Sequence, residues 1–134
     1  MSQNNIFEYI KLVNKKSKEA FNVVSTSSLK DRNLAILNTS KIIKKEREEI
    51  LKANKTDIEN AKRKQLSNAF IDRLLLDDKR IDDIVKGLQE ISEMNDPIGV
   101  ELSRWTQPNG LNISRVSVPL GIIGIIYESR PNVT

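Results

Sequence analysis

Between Pro119 and Pro131 lies the run Ile122-Ile123-Gly124-Ile125-Ile126-Tyr127, made of β-branched and aromatic residues and broken once by glycine. The run is shorter than a typical helix, Gly124 within it and Gly121 just before it weaken a helix, and a proline brackets it on each side. A nearly continuous apolar run of this kind reads as a strand buried on both faces of a parallel sheet. The polar loop that follows, residues 128–132, then falls at a strand's carboxyl end, where open α/β sheets place their ligands.

The 134 residues suffice for one ordinary domain with a core. Aromatic residues make up only 4% and charged residues 30%, so the core is expected to be aliphatic and many helix faces wet. Cysteine and histidine are both absent. That excludes a disulfide framework, a thiolate metal site, a thiol nucleophile and the commonest general base within this chain. The net charge of +4 is mild, and acidic residues stand beside most of the lysine clusters. A one-sided basic stripe is missing, so nucleic acid is not an expected partner. No stretch approaches the length needed to span a bilayer, and a soluble cytoplasmic protein without a membrane partner is expected.

In residues 5–24, Ile6, Tyr9, Ile10, Val13, Ala20, Phe21 and Val24 recur at three- and four-residue spacing, which predicts an amphipathic helix whose stripe packs on a core. Ser25-Thr26-Ser27-Ser28 breaks the pattern, and Ser28 with Asp31 suggests a cap for a second helix running to about Ala53. Its stripe is Ile36, Leu37, Ser40, Ile43, Ile50 and Leu51. Thr56 with Glu59 offers another capping box and a short helix through Lys64. Residues 67–76 read as a brief helix and turn. Asp77-Asp78 then suits the start of a helix carrying Ile81, Ile84, Val85, Leu88 and Ile91, which ends before Asp96-Pro97. The aspartates at 72, 77, 78, 82 and 83 match no calcium-loop spacing and read as caps or surface pairs, so no metal is expected.

After Pro97 the pattern becomes extended. Residues 102–106 and 111–118 flank the turn Pro108-Asn109-Gly110 and predict a β-hairpin. Such a pair is marginal alone and must lean on something else. Trp105 suits either an intersubunit contact or a cap on the local core.

The order Tyr127-Glu128-Ser129-Arg130-Pro131-Asn132-Val133-Thr134, directly after the glycine-isoleucine run, resembles the signature of the gamma-glutamyl phosphate reductase (glutamate-5-semialdehyde dehydrogenase) family, in the aldehyde dehydrogenase superfamily. Ile50-Leu51-Lys52-Ala53-Asn54, Asp57, Asp72-Arg73-Leu74 and Asp96-Pro97 are similar to the opening segment of that family. The resemblance covers essentially this whole chain and only the opening part of the family protein.

It implies an α/β fold in three parts: a helical segment over residues 1–97, a β-hairpin at 98–118, and at 119–134 the first strand and loop of an incomplete aldehyde-dehydrogenase-like nucleotide-binding domain. The implied reaction is NADPH-dependent reduction of L-glutamyl 5-phosphate to L-glutamate 5-semialdehyde, the second step of proline synthesis from glutamate. A cysteine thiolate displaces phosphate to give a thioacyl enzyme, and hydride then releases the aldehyde. Asn132 matches the family asparagine that donates to the acyl oxygen, Tyr127, Glu128 and Ser129 match the loop beside the cofactor, and Arg130 is a candidate for an anionic substrate group. Read without the resemblance, Asn132 satisfies a turn, Arg130 pairs with Glu128 and Tyr127 belongs to a core. The resemblance also implies homo-oligomerisation through the hairpin. The nucleophilic cysteine would lie outside these residues, so this chain by itself is expected to be inactive. The alternative reading is a non-catalytic interaction or oligomerisation module that docks by strand addition.

Overall fold

A computed structural model describes residues 3–133. The element order is five helices followed by two strands: α1 Gln3–Val24, α2 Leu29–Lys45, α3 Arg47–Arg63, α4 Asn68–Leu74, α5 Asp78–Ser92, β1 Glu101–Thr106 and β2 Asn112–Val116, then a 3-10 turn at Pro131–Val133. By proximity the described chain divides into two groups, one holding α1 and the hairpin, the other holding α2 to α5 and the segment from Ile125 onward.

In the first group, α1 forms as its periodicity dictates. Its carbonyls end on polar groups, with Ser25 N–H donating to Phe21 O at 2.8 Å and the Ser27 hydroxyl to Val24 O at 2.7 Å. The expectation that its stripe packs on a core is not met. Phe7 is 68% exposed and Tyr9 63%, and among the helix residues whose burial is described only Ser17 and Phe21 are half-buried. Amphipathic spacing makes an apolar face but does not supply the surface that covers it, and no part of the described chain does so.

The hairpin is antiparallel, pairing Trp105 with Ile113 and Thr106 with Asn112, with an irregularity between Glu101 and Ser103. Its turn is closed by Gly110 N–H donating to Gln107 O at 2.9 Å, with Gly110 in the left-handed region at φ +84°. At the base, Ser117 Oγ accepts from Val100 N–H at 2.9 Å and donates to Pro97 O. Residues 122–127, expected as a strand, form no ladder. A strand exists through its neighbours' hydrogen bonds, and among the described residues no partner pairs with this one; Ile126 and Leu120 stand fully or almost fully exposed.

In the second group, the predicted break at Ala53 and fresh start at Thr56 are replaced by a break at Glu46 and one helix through Arg63. The interruption is slight, because Glu46 N–H still donates to Ile42 O and Glu46 O accepts from Ile50 N–H, at 2.8 and 3.0 Å. Thr56 sits inside α3 and its hydroxyl bonds back to Lys52 O, the arrangement open to a mid-helix threonine in place of a cap. The caps of α4 and α5 follow the sequence: Ser67 Oγ accepts from Phe70 N–H and Asp77 Oδ1 from Arg80 N–H.

The core is small. Ile81, Val85 and Ala61 are buried together with the polar residues Ser40, Asn54 and Ser92. Each of those three is satisfied: Ser40 Oγ donates to Leu37 O, Ser92 Oγ to Gln89 O, and the Asn54 carboxamide is engaged at both ends. Asn33 Nδ2 donates to Ser92 O at 2.7 Å, linking α2 to the end of α5. Arg47, at the start of α3, grips Asp78 and Asp82 on α5. The Asp82 hydrogen bond raises the guanidinium's pKa further above its ordinary value. Among the described residues no helix is long and apolar enough to cross a membrane.

Candidate functional site

Within the second group a cavity of about 640 Å³ opens between α4, α5 and the 3-10 turn. That is within the roughly 300–1,000 Å³ usual for small-ligand clefts. On α5 its lining residues Arg80, Asp83, Ile84, Gly87, Leu88 and Ile91 recur at helical spacing, a second face beside the buried Ile81–Val85 stripe. Helix α4 and its exit contribute Asp72, Arg73, Leu75 and Leu76, and the last segment contributes Arg130, Pro131 and Asn132.

Two side chains fix this frame. Asn54, reaching from α3, donates from Nδ2 to Leu74 O and accepts at Oδ1 from Leu76 N–H, both at 2.8 Å, which pins the connection between α4 and α5. Arg80 binds the Asp72 carboxylate at 2.8 Å and donates to Leu75 O at 2.8 Å and to Asp72 O, tying off the end of α4. Arg80 is therefore spent on structure. Arg73, Arg130 and Asp83 also line the cavity, and none has an ion-pair partner among the described residues.

The chain reaches Arg130 through Ser129, a non-glycine residue held at φ +52°. Such a conformation costs on the order of 1 kcal/mol or more and persists where the surrounding chain demands it. Val133 N–H then donates to Arg130 O at 3.1 Å and closes the turn that carries Asn132. Arg130 and Asn132, expected from the sequence to act on substrate, thus share one cavity. Tyr127, Glu128 and Ser129, expected beside the cofactor, are not among its lining residues. Tyr127 is 48% exposed, Glu128 exposed and Ser129 half-buried, so the three do not by themselves enclose a dinucleotide.

The aspartate-rich stretch resolves into separate roles. Asp77 caps α5, Asp78 and Asp82 hold Arg47, Asp72 holds Arg80, and Asp83 faces the cavity. Among the described residues no three potential metal ligands gather in one place. Sequence reasoning missed Arg73, Asp83 and Gly87 as cavity residues. The signal lay in the spacing from Arg80 to Ile91, which marks a second α5 face whose use depends on where α4 runs.

No protein-family model matches the chain. The sequence is 43% identical over 120 residues to gamma-glutamyl phosphate reductase of Thermodesulfovibrio yellowstonii and 48% identical over 120 residues to that of Clostridium tetani. Each match covers 90% of this chain, but only 29% and 28% of the relatives. The crystal structure of the Thermotoga maritima gamma-glutamyl phosphate reductase superposes with a TM-score of 0.83 at 42% identity, covering 89% of this chain and 29% of that one. The Saccharomyces cerevisiae structure gives 0.84 at 28% identity over 89% and 30%. Over about nine tenths of its length the chain is homologous to gamma-glutamyl phosphate reductases, and it spans about 29% of the length of those relatives.

Proposed function

We propose that the chain supplies part of a cytoplasmic gamma-glutamyl phosphate reductase, which makes L-glutamate 5-semialdehyde from L-glutamyl 5-phosphate on the route to proline. The observation that carries this reading is the placement of Arg130 and Asn132 on one small-molecule-sized cavity, in a chain 43–48% identical to proteins of that name. NADPH, bound by the whole protein, supplies the hydride. The work of this chain is electrostatic. The Asn132 carboxamide donates a hydrogen bond to the acyl oxygen of the substrate, where negative charge develops during reduction. Arg130 holds an anionic group of the substrate and keeps the acyl carbon in place. Tyr127, Glu128 and Ser129 form one edge of the cofactor's path and need the remainder of the protein to enclose it.

The nucleophile comes from outside these residues, since the chain holds no cysteine. The purified 134-residue chain therefore gives no NADPH oxidation with L-glutamyl 5-phosphate. A chimera in which this chain replaces the matched part of the Thermotoga maritima enzyme should restore growth without proline to a bacterium that lacks its own reductase. Failure of the chimera, beside success of the unmodified enzyme, refutes the reading.

A second reading, that the chain is an interaction module, is favoured by the exposed α1 stripe and by the unpaired edges of the two-stranded hairpin. In the catalytic reading the hairpin is the contact between copies of the whole enzyme. In the module reading, the chain alone pairs through the hairpin edge. A charged residue in place of Trp105 abolishes association of the isolated chain under the second reading and leaves an already monomeric chain unchanged under the first.

A further inference from the structure

We propose that Asn109-Gly110, at the tip of the hairpin, is a self-modifying site: the Asn109 carboxamide cyclises onto the Gly110 nitrogen and reopens as an isoaspartyl link, at a rate set by how often the turn opens. The site is independent of the reductase reading.

Asparagine is a thermolabile side chain, and the residue after it decides how fast it is lost. Glycine favours the ring closure most, because it has no Cβ to obstruct the approach and reaches the backbone conformations the ring needs. Of the asparagines in the chain, only Asn109 precedes a glycine. Those of α1 to α4 lie in helices, where the backbone keeps the side chain and the following nitrogen apart. Outside the helices, Asn95, Asn112 and Asn132 precede Asp96, Ile113 and Val133, whose side chains crowd that nitrogen.

The turn places the reacting atoms in one ring. Leu111 N–H donates to Asn109 Oδ1 at 3.1 Å, and the ring this bond closes contains both Asn109 Cγ and Gly110 N. The same donor faces the oxygen on which negative charge develops when Cγ is attacked. Asn109 and Gly110 are exposed, and a Cβ built on Gly110 meets nothing within 4 Å, so water and hydroxide reach the site. One contact opposes the reaction. Gly110 N–H donates to Gln107 O at 2.9 Å, which retains the proton that the nitrogen must lose. Opening of the turn releases it, and a two-stranded hairpin is marginal enough to open often.

The Gly110 nitrogen gives its proton to hydroxide and attacks Cγ. A C–N bond forms, the side-chain amide leaves as ammonia, and a cyclic succinimide remains. Water opens that ring at either carbonyl, leaving aspartate or an isoaspartyl link in which the main chain runs through Cγ and the former α-carboxyl becomes the side chain. The isoaspartyl link adds a backbone carbon inside the turn, so the Leu111 and Gly110 hydrogen bonds cannot both re-form. The neighbouring pairs Thr106–Asn112 and Trp105–Ile113 then lose the closure that sets their register.

The test keeps the 134-residue chain in native buffer at mildly alkaline pH and follows the tryptic peptide that ends at Arg115, which contains both Asn109 and Asn112. Asn109 should become acid about tenfold or more faster than Asn112, whose following isoleucine clashes in the ring-forming geometry. Two products of equal mass should separate, the isoaspartyl form in excess, and the rate should climb with pH. Emission from Trp105, the only tryptophan, should drift in step with the isoaspartyl form. Asn109→Gln, which lengthens the side chain and keeps the charge, should hold both mass and emission steady. Ile113→Gly, which weakens the ladder beside the turn, should speed the conversion. The proposal is overturned if Asn109 keeps its amide as long as Asn112 does, if aspartate forms without an isoaspartyl partner, if Asn109→Gln drifts like the parent chain, or if Ile113→Gly leaves the rate unchanged.

Discussion

Asn54 and Leu76 are joined by a 2.8 Å hydrogen bond from the Leu76 N–H to the Asn54 carboxamide oxygen, while the amide end of the same side chain reaches Leu74 O. One buried residue of α3 thus replaces the backbone partners that the α4–α5 connection lacks. Without it, an N–H and a C=O are left unpaired in a half-buried place, each costing about 1–3 kcal/mol.

Asn54→Leu is therefore expected to lower stability by about 2–4 kcal/mol, read from urea unfolding. Asn38→Ala, at an exposed position of α2, should stay within about 0.5 kcal/mol. Equal effects from the two substitutions would show that the connection is held by something else.

The hairpin carries its own pH response. Arg104 donates to the Glu101 carboxylate at 2.6–3.1 Å, the Ser114 hydroxyl donates to the same carboxylate at 3.0 Å, and together they hold its pKa below the ordinary 4.5, Arg104 the more strongly. A carboxylate depressed in the folded state contributes stability that is present above its unfolded pKa and is lost as pH falls through the folded value. Carbon-detected NMR titration should find Glu101 titrating below its ordinary value, and Arg104→Gln should move it upward. A Glu101 midpoint that ignores Arg104→Gln would contradict the pairing.

The segment from Leu120 to Ile126 should be replaceable without loss of fold. Ile126 and Leu120 have almost no cover, so Ile126→Ser is expected to change stability by less than about 0.5 kcal/mol while raising the concentration at which the chain stays in solution. A marked fall in the unfolding midpoint would mean that this residue is packed.

What the sequence reveals depends on how local each cause is. α1, α4, α5 and the hairpin could be read because periodicity, Ser67, Asp77 and the Pro108-Asn109-Gly110 turn act over a few residues. The break at Glu46 was illegible, since the stripe Ser40, Ile43, Arg47, Ile50 and Asn54 continues across it at helical spacing. The strand at 122–127 was over-read, because its composition suits a sheet and the sheet needs neighbours that no residue within the run reports. For the cavity, Arg130 and Asn132 were accessible through the resemblance. Arg73 and Asp83 become cavity residues only once Asn54 and Arg80 have fixed the course of α4 relative to α5.

The most direct measurement is the steady-state rate at which the purified chimera with the Thermotoga maritima enzyme forms NADPH from L-glutamate 5-semialdehyde, phosphate and NADP, compared with its Asn132→Ala variant. If Asn132 is the donor to the acyl oxygen, the chimera turns over and the variant loses about 10²–10³ in kcat with little change in KM. A chimera that turns over equally well with alanine at that position would contradict the role given to Asn132, and a soluble, folded chimera with no turnover would contradict the function itself.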